Sequence, residues 1–485
     1  MIQPLEKQFP YATQKARLDS YNINKELLEG NHWAAFALQG DKNFTERYAK
    51  LRYVVCNFAG LVSKVIADIL FGEEIQIKAD KNQEWLEALY FKNKLQQQNY
   101  ESAMSNSAQG DAVYKIRVED NEIYIDDINP SIYFPHLDKG NPRRDPKVEE
   151  LAWTESIGNT KYLIRELHEV GKVSTVINEL DAKGNVDVEI SCDAYNAMAG
   201  TNYIASVDTG IKHKLLVHIP NYRFSGRFWG VSDYNDINTL LFALNNRMTK
   251  LGNILDKHSD PILSVPEGVL DENGQVKKES LGMIEVTEKG GKPEYIVWNA
   301  NLESAFKEID KLVDFLFMFS ETSPDVLGMG KNGAAESGRA LKMRLIRTLA
   351  KKNRKQLYYD QGLREILFTA QELSRKQGYT VDGVKCPAEA ELPFIKWADG
   401  VVNDQIEELD LAKGKLDAGL TTKVDAIMTT EGLSEEDAQK KLEEITKEKK
   451  ESATTFGLPV KTEEETKVQD KNSLNTLDKD KKVVV

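Results

Sequence analysis

Residues 301–376 read NLESAFKEIDKLVDFLFMFSETSPDVLGMGKNGAAESGRALKMRLIRTLAKKNRKQLYYDQGLREILFTAQELSRK, and this stretch decides the fold. Leu302, Ala305, Phe306, Ile309, Leu312, Val313 and Leu316 recur at three and four residues, which makes one apolar stripe on a helix with Asn301 at its N-cap. Ser323-Pro324 stops that helix, because proline disfavours the α conformation in the residue before it. Gly328, Gly330 and Gly333 then make a pliable loop. Ser337 caps a second helix running toward Lys376, roughly 60 Å long at 1.5 Å per residue. Two rods hinged by a soft loop describe a lever or a wall rather than a catalytic pocket.

Upstream, Ser232 is placed to cap a helix whose face carries Ile237, Leu240, Leu241, Leu244, Met248, Leu251 and Leu255, ending at Asp260-Pro261. Between Ile262 and Trp298 short β segments are separated by turns at Asp271-Glu272-Asn273-Gly274 and Gly290-Gly291. Two helices therefore bracket a small β module, a stalk with a tip. Earlier still, strands are expected over Val113–Val118, Ile123–Ile125, Leu151–Ile157, Lys161–Glu169, Val173–Glu179, Val186–Ile190 and Leu215–Ile219, a meandering antiparallel region. Helical periodicity covers Glu46–Leu70, closed by Gly72, and Gln83–Ala108, ending before Gly110-Asp111. Residues up to about Gly40 read as an arm or short helices. After the long helix, Val381–Ile395 reads as extended chain. Helical patterning returns from Gly400 with Ile406, Leu409, Leu411 and Leu416, and again from Ser434. Beyond about Lys450 large apolar groups are too few to fold, so a disordered tail is expected.

The 485 residues suffice for two to four domains. A net charge of -13 disfavours tight duplex binding, which asks for a basic surface. Three separated cysteines, Cys56, Cys192 and Cys386, speak for a reducing setting without structural disulfides. Met1–Pro10 lacks the features of a signal peptide, and no apolar run reaches about 18 residues, so the expectation is neither secretion by that route nor a membrane span.

Candidate chemistry is sparse. Gly328-Met-Gly330-Lys-Asn-Gly333 fits the dinucleotide pattern by letter, but that pattern requires a preceding strand and here a helix precedes it. There is no Walker A sequence and no Gly-x-Ser-x-Gly elbow. The six histidines form no HExxH, and His213 and His218 read as structural. Neither catalytic residues, nor a metal site, nor a cofactor is nominated. Arg339, Lys342, Arg344, Arg347, Lys351, Lys352, Arg354 and Lys355 crowd the first half of the long helix. Such a stripe faces either solvent, DNA phosphates or an acidic neighbouring subunit, of which the last is preferred.

Gly230-Val-Ser-Asp233, Asp236-Ile-Asn238, Leu244-Asn-Asn246, Asp260-Pro-Ile-Leu263, Ser323-Pro324 and Ser337-Gly-Arg-Ala-Leu-Lys342 follow one another in an order that resembles the portal proteins of tailed bacteriophages, the group infecting Gram-positive hosts. Phe71-Gly72 and Asp127-Ile-Asn129-Pro130 to Tyr133-Phe-Pro135 fit as well, and the likeness covers roughly Phe44 to Ile395. The resemblance implies an α+β portal fold: an antiparallel β and helical wing, a helical stem, a small β-containing clip, a long wing helix and a helical crown. On this chain that means an N-terminal arm at 1–43, wing at 44–232, stem helices at 233–257 and 301–320, and clip at 258–300. A tunnel loop would occupy 321–335, the long helix and second wing part 336–395, the crown 396–450 and the tail 451–485. It implies no enzymatic activity and a ring, typically dodecameric, at one capsid vertex, through which double-stranded DNA passes during packaging and ejection. Implied partners are the terminase large subunit, scaffolding and major capsid proteins, and a head-completion or tail connector protein. The tunnel loop would use Pro324, Asp325, Gly328, Gly330, Lys331, Asn332 and Gly333. Lys250, Lys257 and Lys331 are candidates for the channel lining, and Arg339, Lys342, Arg344 and Arg347 for the subunit interface. Two other readings stay open: a nucleotide-binding enzyme using the Gly328–Gly333 loop, and a capsid structural protein without a channel.

Overall fold

Strands and helices succeed one another where apolar periodicity switches between two and 3.6 residues. A computed structural model describes residues 3–39, 53–258, 262–264, 294–296, 302–329, 338–398, 400, 405–431 and 435–455. The chain divides into two compact units, one of residues 1–335 and 340–401, the other of residues 336–339 and 402–485.

The first unit opens with α1 (Lys15–Glu29), α2 (His32–Leu38) and α3 (Phe58–Phe71). The expected start of α3 at Glu46 needs correction: residues 53–57 are not helical, and Asn57 is the N-cap, its Oδ1 accepting from Gly60 N at 2.8 Å. Val54 N and Cys56 N donate instead to Thr249 Oγ1 and Asn245 Oδ1, both at 2.9 Å, which holds the segment out of the helix. Residues 46–52 lie outside the described residues. Gly72 does end α3, but with right-handed φ -67.

After β1 (Gln76–Lys78) the single helix expected to Ala108 is two, α4 (Gln83–Lys92) and α5 (Leu95–Gln109). The chain turns at Lys94, with φ 50, because the Asn93 side chain leaves the helix and accepts from Ile125 N at 2.9 Å. Gly110 closes α5 in the left-handed region, φ 97.

The strands expected between Val113 and Ile219 all form, while the turns expected at Asp271–Gly274 and Gly290-Gly291 lie outside the described residues. β2 (Asp111–Glu119) and β3 (Glu122–Ile128) make a hairpin whose turn residues Asp120 and Asn121 both have positive φ, 49 and 66, matching strand twist. The meander follows as β4 (Tyr133–Pro135), β5 (Val148–Ile157), β6 (Thr160–Glu169), β7 (Lys172–Leu180) and β8 (Val186–Ile190), paired antiparallel in that order. Helix α6 (Cys192–Ala199) intervenes; then β9 (Ser206–Asp208) pairs with β7, and β10 (Leu216–Pro220) joins β2 in the three-stranded sheet β10-β2-β3. Helix α6 and the short strands β1, β4 and β9 were not anticipated.

Two helices then bracket a strand pair, as expected. α7 (Asn238–His258) leads to β11 (Ile262–Ser264), which pairs antiparallel with β12 (Glu294–Ile296) ahead of α8 (Leu302–Phe319). Helix α7 begins five residues later than Ser232 predicts, since Ser232 Oγ accepts from Tyr234 N at 3.0 Å in a local turn that precedes the helix. The long helix is α9 (Gly338–Arg344) plus α10 (Ile346–Gln377), interrupted only at Leu345, and β13 (Phe394–Lys396) pairs with β1.

Two cores organise this unit. One packs α10 and α5 against the three-stranded sheet, with Tyr114, Ile116, Ile125, Ile219, Tyr359 and Leu363 inside. There Gly362 permits close approach, since a Cβ would stand 2.5 Å from Ile219 side-chain carbons. The other gathers α1, α2 and α3 around the base of the helix pair through Phe36, Val62, Tyr234, Leu241, Leu244 and Leu316. The second unit contains α11 (Gln405–Asp417), α12 (Lys423–Glu431) and α13 (Glu435–Thr455). Thr422 caps α12, its Oγ1 accepting from Asp425 N at 3.1 Å while donating to Asp425 Oδ2 at 2.6 Å. Ser434 and residues 456–485 fall outside the described residues.

Candidate functional site at the base of the glycine-rich loop

Several side chains on one face of α10 hold the chain where it enters the loop, at residues 320–323. The chain leaves α8 through a Schellman motif, with Thr322 N donating to Phe317 O at 3.1 Å and Glu321 N to Met318 O at 3.3 Å. Four α10 side chains grip the exit. Lys351 Nζ donates to Ser320 O at 2.9 Å, a cation on the negative end of the α8 dipole. Thr348 Oγ1 donates to Glu321 O at 3.1 Å and accepts from Ser323 N at 2.8 Å. Arg347 Nη2 reaches Glu321 Oε1 at 2.7 Å, and Arg354 pairs with Glu321 Oε2. Beyond this grip Pro324–Leu327 forms a short 3-10 turn capped by Ser323 and closed by Gly328, φ 68.

Behind the grip lies a buried charge centre. Asp233 accepts from Ser107 Oγ at 2.6 Å, Asn221 Nδ2 at 3.0 Å and Lys355 Nζ at 2.7 Å, and pairs with Lys351 Nζ at 3.2 Å. Burial alone would raise the Asp233 pKa, but the two ammonium groups and the Ser107 hydroxyl hold it well below the usual carboxylate range. Burial pushes Lys355 down to about 8 against the pull of Asp233. One carboxylate facing two lysines leaves excess positive charge, and the Ser320 carbonyl and Asn221 Oδ1 offset it. The centre thereby ties the lead-in to α7, the exit of α8, α5 and α10 to one point.

The Gly230-Val-Ser-Asp233 sequence is what delivers Asp233 there. Gly230 runs against Gly110 so closely that a Cβ on it would stand 1.9 Å from Gly110 O. Gly230 N donates to Asp111 Oδ1 at 2.8 Å, and Ser232 Oγ donates to Ala108 O. His218 is structural: its Nε2 meets Asp111 Oδ1 at 2.6 Å and its ring stacks on Phe228 at 4.7 Å.

Among the residues singled out in the sequence, Pro324 and Asp325 lie in the 3-10 turn and Gly328 ends it, while Gly330, Lys331, Asn332 and Gly333 lie outside the described residues. Lys250 is exposed on α7, and Lys257 is in its last turn with a side chain outside the described residues. Arg339 begins α9 with its side chain likewise not described, and Lys342 is exposed. Arg344 lies 3.6 Å from Asp325, and Arg347 pairs with Glu321 while staying 74% exposed. The basic stripe is therefore not one outward face: Lys351, Lys352 and Lys355 are buried and bonded within the chain, Lys352 Nζ to Ala398 O at 2.7 Å. Their register at 351, 352 and 355 places them on the core side of α10, where internal acceptors replace water. Glu321 was not singled out, because no glycine marks the left-handed residue.

An α+β body, paired helices around a strand pair, and a gripped loop leading to one long helix are the features on which the family assignment can be judged. The chain belongs to the family described as Phage portal protein, SPP1 Gp6-like, which matches residues 147–455, more than half of its length. Comparison with curated proteins returned no match. Among solved structures, a chain from the neck of an empty GTA particle computed with C6 symmetry is similar at TM-score 0.47 and 10% identity, covering 81% of this chain and 95% of that one.

Proposed function

We propose that copies of this chain stand side by side in a ring, typically of twelve, at one vertex of a phage capsid, and that double-stranded DNA passes through it during packaging and ejection. The observation that carries this reading, beyond family membership, is the grip on residues 320–323. It fixes one end of a glycine-rich loop to a long rigid helix, as a loop working against a moving rod requires. A conduit must hold DNA weakly, and a chain of net charge -13 repeated around a ring does so.

Two exposed faces of different character support lateral assembly. Helix α8 presents Phe315, Met318 and Phe319 with Asp310 and Asp314 nearby, although its opposite face is already packed against the body. Helices α9 and α10 present Met343, Ile346 and Leu357 with Lys342 and Arg347. An aromatic face whose Asp314 is paired with Lys311 at 3.1 Å, and a basic aliphatic face on the same chain, suit a head-to-tail contact between copies, and such contacts close into rings. Residues 258–300 serve as the docking platform for the terminase large subunit and later for the head-completion or tail connector protein. Scaffolding and major capsid proteins meet residues 44–232 and 336–395.

Negative-stain images of the purified protein test the ring. The expected result is annular particles with a central hole; discrete monomers under all conditions overturn it.

A further inference from the structure

Glu321 occupies the C′ position of the α8 cap at φ 55, where the left-handed conformation normally selects glycine. A side chain there carries strain, since Cβ crowds the following carbonyl. The two backbone bonds of the cap and the Thr348 hydroxyl on Glu321 O offset part of this. The side chain is held from α10, where Arg347 and Arg354, two turns apart, each take one carboxylate oxygen. Strain retained at a functional position, under over-determined constraint, is how a fold stores a second conformation.

The two ionic layers of the joint differ in exposure. Asp233, Lys351 and Lys355 are buried, with side-chain exposures of 3%, 4% and 2%. Arg347, Arg354 and Glu321 are at 74%, 40% and 23%. The inner layer is shielded from ions in solution; the outer layer is screened by them.

We infer that Glu321 is a strained latch on the loop. While the two arginines hold its carboxylate, the chain departs sharply from α8. When they release it, Glu321 returns to right-handed φ, α8 lengthens through Thr322, and the anchor of the loop shifts by about 4.5 Å for the three added residues. Extension stops there because Pro324 disfavours helical Ser323. The inner layer keeps α8, α10 and the lead-in to α7 together throughout. That the latch regulates DNA passage rests on the channel reading above; that it exists does not.

The test is hydrogen exchange on the full-length protein, followed at the Ser323 amide, which donates across the joint to Thr348 Oγ1. Removing both arginines (Arg347→Ala with Arg354→Ala) leaves Thr348 in place and is expected to speed exchange at Ser323 about tenfold, the change that left-handed strain of this size produces. In a Glu321→Gly background, where the turn is unstrained, the same pair of substitutions is expected to change nothing. Glu321→Gln, which keeps the strain and weakens the clamp, is expected to fall between. Unaltered exchange in β2 checks that each variant is folded. Equal acceleration with Glu321 and with glycine, or acceleration with neither, overturns the latch. If exchange behaves as stated but DNA packaging is indifferent to Glu321→Gly and Glu321→Gln alike, the latch stands and its part in DNA passage fails, while the ring itself is tested by the images described above.

Discussion

Replacing Asp233 by asparagine keeps the volume of the side chain and removes its charge, leaving Lys351 and Lys355 facing each other without a counterion. Breaking a buried ion pair by removing one partner costs about 3–5 kcal/mol, because the charge left behind is desolvated and unpaired. At about 2–4 °C of melting temperature per kcal/mol, the first unit should melt roughly 6–20 °C lower. The deficit should also depend on pH. A lysine whose folded pKa lies below its unfolded value binds fewer protons folded than unfolded, so stability rises with pH between the two values. In the native protein that window for Lys355 runs from about 8 up to the ordinary lysine value of 10.5. Without Asp233 the folded pKa falls further, the window opens at lower pH, and the variant recovers part of its loss as pH rises from 6 toward 8. Thermal unfolding followed by near-UV circular dichroism at pH 6, 7 and 8 measures both effects. Lys355→Met in the Asp233→Asn background should restore some stability, although it costs stability alone. A deficit below 1 kcal/mol, or one that is constant across this pH range, would refute the assignment of Asp233 as the counterion of both lysines.

Other consequences can be checked separately. Asp127 is raised to about 7, by burial and by Glu101 against the Ser102 hydroxyl, so its folded form keeps a proton that the unfolded chain releases near pH 4, and stability is lost as pH rises through that window. Asp127→Asn should therefore match the native protein in denaturant titrations at pH 4 and exceed it by of order 2 kcal/mol at pH 8. Gly362→Ala, normally favourable inside a helix, should here cost about 1–3 kcal/mol because its methyl meets Ile219, and a cycle with Ile219→Ala should show favourable coupling. Met318→Glu and Ile346→Glu should each abolish annular particles while shifting stability by less than about 1 kcal/mol, since both side chains are exposed in the isolated chain. Deleting residues 325–334 should spare ring assembly and impair DNA packaging or retention; loss of folding in that deletion would contradict a separable loop.

Much of the architecture was legible because it rests on local periodicity. The strands from Asp111 to Ile190 announce themselves by alternation and by turn chemistry such as Gly158-Asn159, and the stripe finds α8, although that helix ends at Phe319, four residues ahead of the expected stop at Ser323-Pro324. Failures came where a side chain from elsewhere in the chain overrode a local preference. Asn93 breaks α4 from α5 to reach β3, and Thr249 and Asn245 draw residues 54–56 out of α3; neither partner is near in sequence. The site was half visible. Asp233 sat in a recognisable motif, but its role depends on lysines more than a hundred residues away. The lysines were visible as charge, and their burial was not, because the same spacing of basic residues serves an outward face equally well.

Why the inner charge centre should be so costly a construction deserves a physical answer. An apolar cluster of equal volume would hold α5, α8 and α10 together at least as tightly, since a buried ion pair seldom gains net stability over hydrophobic packing. Apolar contacts, however, are tolerant of sliding, whereas Asp233 accepts from four donors at fixed positions on three segments, and Lys351 at once faces that carboxylate and the Ser320 carbonyl at the exit of α8. A one-turn slip of α10 would leave a buried charge without its partner. The centre thus sets register, and register is what a joint needs when one of its arms must move and the other must not. Register and stability can be measured apart: replacing Asp233, Lys351 and Lys355 together by Leu, Met and Met should preserve melting temperature to within a few degrees yet broaden the set of loop conformations. If the triple variant holds the Ser323 amide as firmly as the native protein does, register comes from shape alone and the charges are dispensable.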